Sequence, residues 1–385
     1  MSRSVQVPIT DDLPEADRLD GTSHPRNTPS VLGQQQAEET LLKALASDRL
    51  HHAWLITGPQ GVGKASFAWR AARFLLTRDV SDGNDMFGAP PPAESLDTDP
   101  DDMIVRRALA LSEPRLMLLR RPYDEKNKRF KQDIPVDTVR ELHRFFALSV
   151  PDGGRRVVIV DAADDMNTSA ANALLKQLEE PPAHTVFLLI SHRPSRLLPT
   201  IRSRCRELRC APLPADLLVA ALAQQDIDVP EGTSDEALCT LAGGSVGRAA
   251  QLTLGEGLAL YGRLIVLMSG LPDFDRQKAI ALAEWTTARD KPERFDLFCD
   301  LLDMFLSRLA RTGAAGPPAI EAAHGESKLM ARLCRDVRQA QSWAAAQDRL
   351  GAKLRTGRAA NLDPAALILD TILEIAATAK GRASA

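Results

Sequence analysis

Gly58-Pro59-Gln60-Gly61-Val62-Gly63-Lys64 is the segment whose residue types and spacing point most directly to chemistry. It fills the first seven positions of G-x-x-x-x-G-K-[ST], a loop whose glycines let successive backbone N–H groups curl around phosphate oxygens. Lys64 would add a point charge at the outer phosphates. The candidate nucleotide contacts are Gly58, Gly61, Gly63 and Lys64, with Ala65 and Ser66 following. At the eighth position the pattern wants a hydroxyl to ligate Mg2+, and Ala65 has none. Ser66 sits about 100° further round a helix and does not replace it. The β-branched run Val157-Val158-Ile159-Val160 reads as a buried strand followed by Asp161, a carboxylate suited to orienting a metal-bound water. The next residue, Ala162, can polarise nothing, while Asp164 and Asp165 are displaced and read as caps of the following turn. The losses at Ala65 and Ala162 both argue for ATP bound without hydrolysis and against a Mg2+ site.

Such a loop works between a buried strand and a helix, and the flanking sequence offers both: Ala53-Trp54-Leu55-Ile56-Thr57 before it and a helical run from Ala65 to Leu76 after it. Leu116 to Leu119, Val157 to Val160 and Thr185 to Ile190 are further strand candidates. Between them, Pro135 opens one helix and Ser169 to Glu180 forms another, ending at Pro181-Pro182. Strands alternating with helices predict an α/β unit over 31–211 built on a parallel sheet. Residues 1–30, rich in Pro, Asp, Ser and Thr, read as an unstructured leader, and 79–102 as a flexible insertion. Beyond about Ala211 the alternation stops: 212–256 is a small helical unit and 257–385 is all helix, its last helix capped by Asp363 with Pro364 in the first turn.

At 385 residues the chain is too long for one ordinary domain. A net charge of -3 opposes a surface that coats nucleic acid everywhere but leaves room for a local basic face. One candidate face is the basic run of Arg106, Arg107, Arg115, Arg120, Arg121, Lys126, Lys128, Arg129 and Lys131, diluted by Glu113, Asp124 and Glu125. No apolar run reaches the ~18 residues of a membrane span, so no membrane partner is expected and cytoplasm is the expected compartment. The five cysteines form no CxxC pair, and neither a disulfide frame nor a zinc ribbon is suggested.

Two further motifs are specific enough to carry a family resemblance. Asn172-Ala173-Leu174-Leu175-Lys176-Gln177-Leu178-Glu179-Glu180-Pro181-Pro182 resembles the signature helix of AAA+ clamp-loader subunits, and Leu198-Pro199-Thr200-Ile201-Arg202-Ser203-Arg204-Cys205 resembles their Ser-Arg-Cys segment. The resemblance covers about 31–255 well and 256–385 loosely. It implies a P-loop AAA+ module, a small helical lid and an all-α C-terminal collar through which subunits assemble. It implies that Arg204 is an arginine finger acting in trans on a neighbour's ATP, that Ser191 is the first sensor and that Arg248 is the second. Leu32-Gly33-Gln34 resembles the adenine side of the site. An intact Arg204 beside a degraded hydrolysis site resembles the delta-prime branch of the bacterial DNA polymerase III loaders, part of a DNA-directed DNA polymerase assembly. The partners so implied are the motor subunits, delta, the sliding clamp and primer-template DNA. Relatives often carry a four-cysteine zinc module after the phosphate-loop helix, whereas Arg78 to Arg121 contains no cysteine, so no zinc is expected. An autonomous P-loop ATPase or helicase motor is opposed by Ala65 and Ala162. A nucleotide-gated DNA regulator lacks any helix-turn-helix, zinc finger or aromatic-basic platform.

Overall fold

Short apolar runs bounded by glycine or acid become strands, and the longer amphipathic ones become helices. The computed structural model describes residues 14–47, 50–78, 93–147, 154–288, 291 and 293–381. In chain order the first part holds α1 (Gln35–Ala46), β1 (Ala53–Thr57), α2 (Lys64–Thr77), α3 (Met103–Leu109), β2 (Leu116–Arg120), β3 (Tyr123–Asp124) and β4 (Arg129–Phe130). It continues with α4 (Val136–Ala147), β5 (Arg156–Asp161), α5 (Thr168–Glu179), β6 (Thr185–Ser191), α6 (Pro199–Ser203) and β7 (Arg206–Arg209). The chain divides into two compact units, Met1–Leu213 and Pro214–Ala385.

In the first unit the sheet runs β2-β5-β6-β1-β7, with every neighbouring pair parallel. β1 and β6 are buried at every position, as strands covered by helices on both faces must be. Trp54, Ile56, Leu188 and Ile190 pack into one cluster with Phe67, Ala71 and Leu75 of α2. Leu55, Phe187, Leu189 and Val158 point the other way, into a cluster with Leu142 of α4 and Leu174 of α5. This alternation is the period-2 geometry of a strand.

Two expectations need correction, and one strand was not expected. The leader of 1–30 is not unstructured over its described part: Thr22 and His24 are buried, and a 3-10 turn spans Pro25–Asn27. Glu15 pairs with Arg26 at 2.5 Å and Asp17 with His24 at 3.1 Å, and both carboxylates also pair with Arg120 of β2. Residues 1–13 lie outside the described residues. Of the insertion, 79–92 also lies outside them, but 93–102 is anchored. Leu96 is fully buried, its N–H donates to Glu38, and Arg70 bridges Glu38 and Asp97. Finally, β7 is a strand that the apolar pattern does not announce. It is an edge strand with only Leu208 buried, held by its pairing to β1.

The second unit is helical: α7 (Ala215–Ala223), α8 (Asp235–Ala242), α9 (Val246–Leu254), α10 (Gly257–Ser269), α11 (Arg276–Thr286), α12 (Glu293–Ala315), α13 (Glu326–Leu333), α14 (Val337–Ala359) and α15 (Pro364–Ala379). α9 and α10 are separated by two residues at the expected lid-to-collar boundary, and both belong to this one unit. Its buried acid, Glu326, is satisfied by Tyr261 Oη at 2.5 Å and Arg308 Nε at 2.8 Å. Asp363 caps α15 through the N–H of Ala366, as its position before Pro364 predicts. Among the described residues no single helix is long and apolar enough to cross a membrane.

Candidate functional site

The phosphate loop joins β1 to α2 at the C-terminal edge of the sheet. Gly58, Gly61 and Gly63 have φ of 142°, 77° and 97°, which side-chain-bearing residues rarely adopt. A Cβ on Gly58 would lie 2.3 Å from the carbonyl oxygen of Cys210, so bulk is excluded there as well. Lys64 is only 3% exposed, and its Nζ donates to the carbonyls of Gly58 (2.7 Å) and Pro59 (2.5 Å). Burial lowers its pKa to about 8, opposed by Cys210, Asp161 and Asp164. A loop of this shape, with an ammonium that can leave two carbonyls for an anion, fits a polyphosphate.

The groups around the loop are mostly engaged with the protein itself. Ala65 packs against the α2-side core, and the Ser66 hydroxyl lies 3.0 Å from that of Thr28, on the ordered N-terminal segment. Neither offers the ligand that Mg2+ would need, so the residues present do not fit the metal. Asp161 ends β5 and does not follow it, and in register it faces Arg120 of β2. Burial raises Asp161 to about 7; Asp17 pushes the same way and Lys64 pulls back. Ala162 is buried.

The expectation that Asp164 and Asp165 cap the following turn needs correction: both lie within the 3-10 turn Ala163–Asp165, and Asn167 caps the helix that follows. Asp164 accepts from Ser191 Oγ at 2.7 Å and from the N–H groups of His192 and Arg193, tying the turn after β5 to the end of β6. Asp165 pairs with Arg121 at 3.1 Å. Ser191 is fully buried and stands in register beside Thr57, one residue before the loop. The site therefore brings together Gly58, Lys64, Asp161 and Ser191 along adjacent strand ends. Arg248 belongs to the second unit, in α9, where its N–H is capped by Ser245 Oγ at 3.1 Å; burial raises the pKa of Asp300, and the charge of Arg248 opposes that rise.

Sequence reasoning assigned no role to Gln34 beyond its family position. Gln34 is buried, donates to the carbonyls of Val62 (3.2 Å) and Ala211 (2.9 Å), and accepts from the N–H of Ala211 at 2.9 Å. It ties the loop to the chain leaving β7. A glutamine directly before a helix is the only signal the sequence carried.

Arg204 lies at the other end of the sheet. It caps the C-terminus of the short helix α6 and precedes β7. Because β7 runs parallel to β1, with Trp54 opposite Arg206 and Thr57 opposite Arg209, Arg204 is on the N-terminal edge and the phosphate loop is on the C-terminal edge. Three to four residues of strand at about 3.3 Å each separate the two levels. An arginine so placed does not serve its own chain's phosphate loop. Its guanidinium is partly exposed, paired with Glu179 Oε1 at 2.7 Å and donating to the carbonyl of Thr200 at 3.0 Å. Glu179 ends α5, and the carbonyl beside it, of Leu178, meets His52 Nε2 at 3.0 Å.

A five-stranded parallel sheet in this order, with a Gly-Lys loop after β1 and a helical unit following, defines a P-loop protein of the AAA+ class. The family model described as DNA polymerase III, delta subunit, matches residues 33–214. The DNA polymerase III subunit delta' of Pseudomonas aeruginosa is 38% identical over 256 residues, 65% of this chain and 70% of that protein. The subunit delta' of Escherichia coli is 32% identical over 220 residues, 57% of this chain and 59% of that protein. A DNA polymerase III gamma subunit-related protein of Thermotoga maritima overlaps 87% of this chain and 98% of its own at 18% identity, with a TM-score of 0.35. The chain belongs to the delta-prime subunit family of DNA polymerase III.

Proposed function

We propose that this chain works as a clamp-loader subunit of the replicative polymerase that lends Arg204 to the ATP site of a neighbouring subunit and does not hydrolyse ATP itself. The observation that carries the reading is the position of Arg204 on the sheet edge opposite its own phosphate loop, partly exposed and held by a single carboxylate. An arginine suits the role because its planar, permanently charged fork can hold two phosphate oxygens as charge develops. On its own side, the chain would bind ATP through Gly58, Gly61, Gly63 and Lys64 with Ser191 beside them. Ala65 and Ala162 leave it without a metal-ligating hydroxyl or a carboxylate next to Asp161. The partners on this reading are the motor subunits, delta, the clamp and primed DNA, with 212–256 serving as the lid and 257–385 as the collar.

The test is steady-state ATPase of the reconstituted loader with clamp and primed DNA. Arg204→Ala should assemble normally yet lower turnover, since a finger is worth about 10³–10⁵ at one site and sites with their own fingers set the floor. Arg204→Lys should rescue poorly, and Arg202→Ala should have a weaker effect. Full activity of Arg204→Ala in a normal assembly refutes the reading.

A further inference from the structure

The basic run of residues 106–131 looks continuous in sequence, but the fold splits it in two. Arg106 pairs with Asp101, Arg107 and Arg115 with Glu113, Arg120 with Glu15 and Asp17, and Arg121 with Asp165. Each of these arginines is answered by a carboxylate of the chain, Arg106 at the surface and Arg115 in the interior. Lys126, Lys128, Arg129 and Lys131 are different: all are exposed, and none comes within 4.0 Å of a described carboxylate as an ion pair. Arg129 does stand opposite Asp124 across the strands, and the pKa of Asp124 is lowered by hydrogen bonds from Asn127 and by the charge of Arg129. They cluster on the β3–β4 hairpin, which stands apart from the main sheet.

The hairpin is built to present those charges. Tyr123 and Phe130 face each other across the strands with ring centroids 5.3 Å apart, closing its base on its own aromatics. Asp124, one of its two carboxylates, is used in the turn, accepting from the N–H groups of Lys126 (3.0 Å) and Asn127 (3.1 Å) and from Asn127 Nδ2 (2.7 Å). The N–H of Lys131 donates to the carbonyl of Pro122 at 2.9 Å, which extends the pairing past Phe130. Strand alternation therefore puts Arg129 and Lys131 on one face of the hairpin.

We infer that the β3–β4 hairpin is a contact for the phosphate backbone of duplex DNA. An acidic protein face is the competing partner. Protein interfaces are anchored by buried aromatic or aliphatic groups, and the exposed part of this hairpin has only polar and charged side chains. Long cations without an apolar anchor suit a phosphate backbone, which is read by charge and not by sequence. The inference rests on the loader reading only in choosing primed DNA as the ligand to test.

The experiment is fluorescence anisotropy of a labelled primer-template across a salt series, on the full chain and on the reconstituted loader, repeated with a duplex of unrelated sequence. The triple variant Lys126→Ala, Lys128→Ala, Lys131→Ala should lower the slope of log K against log salt by about 1 per lysine, equally on both sequences. The corresponding triple Lys→Arg variant should keep the slope, and Arg106→Ala, which removes a cation already paired with Asp101, should leave it unchanged. An unaltered slope in the triple Ala variant overturns the inference. So does the absence of DNA binding by the wild type in both forms, or loss of assembly with DNA binding intact, which would make the hairpin a protein contact. Assembly is read separately by gel filtration. A wild-type chain that fails to enter the loader therefore counts against the proposed function, while the salt slope still judges the hairpin.

Discussion

At the C-terminal edge of the sheet, the polar groups of the phosphate site are turned onto the protein: Lys64 onto two loop carbonyls, Ser66 onto Thr28, and Ser191 onto Asp164. At the N-terminal edge, Arg204 is partly exposed and answers to one partly exposed carboxylate. Both edges belong to one sheet and both carry family motifs, yet they are maintained differently. A pocket that lacks its metal hydroxyl and its second carboxylate still has a structural use, because its glycines and its lysine hold β1, α2 and the ends of β5 and β6 together. On the proposed function Arg204 has its partner on another molecule, and it would have to stay near the surface with little to hold it; burial would then mark what serves this chain, and partial exposure what is offered to a neighbour.

The largest contrast should come from thermal unfolding of the isolated chain. Gly58→Ala combines a left-handed φ with a collision against the carbonyl of Cys210, and should cost about 2–4 kcal/mol. Arg204→Ala should shift the melting temperature by no more than about 2–4 °C, since a surface ion pair contributes about 0–1 kcal/mol. Equal melting temperatures for the two variants would break the contrast.

The pH dependence of stability sharpens it further. Asp161 titrates at about 7 in the folded chain against 3.8 when unperturbed, so the folded state keeps a proton that the unfolded state has lost. Its contribution is most favourable at acid pH and is lost as pH rises through about 7. Lys64 has the opposite window. Its folded value of about 8 lies below 10.5, so the cost of burying its charge is relieved as pH rises past 8. Asp161→Asn should flatten the decline between pH 4 and 7 and raise the melting temperature at pH 7.5 by about 2–4 °C, the shift that ~1 kcal/mol gives a chain of this size. An unchanged pH profile would place the titration elsewhere.

The smallest expected effect is at Glu179. Glu179→Gln removes the charge that holds Arg204 but keeps an acceptor, and should alter stability by less than about 0.5 kcal/mol. The assembled loader should keep its ATPase, in contrast to Arg204→Ala. Loss of activity equal to that of Arg204→Ala would mean that the ion pair itself, and not the free guanidinium, is what the neighbour requires.

The sequence by itself determined the phosphate loop, its missing hydroxyl at Ala65, the missing carboxylate at Ala162 and the strand-helix alternation that frames them. These were legible because each rests on residue type at fixed local spacing: glycine where φ is positive, alternating or continuous apolar runs, and proline and aspartate at helix starts. Only the tertiary structure decided the rest. The ordered segment 14–30 is polar and aperiodic, and it is held by charges contributed from β2 and by contacts with α2, which no local pattern reports. β7 is a strand because β1 lies beside it, not because Arg206-Glu207-Leu208-Arg209 favours one. The role of Asp164 depends on the end of β6, 27 residues away in sequence from its partner Ser191. The separation of Arg204 from its own phosphate loop follows from strand direction, and the division of one basic run into paired arginines and an unpaired hairpin follows from which carboxylates the fold brings near. Local spacing fixes backbone geometry and residue chemistry, whereas charge pairing and edge placement are set by contacts between segments far apart in the chain.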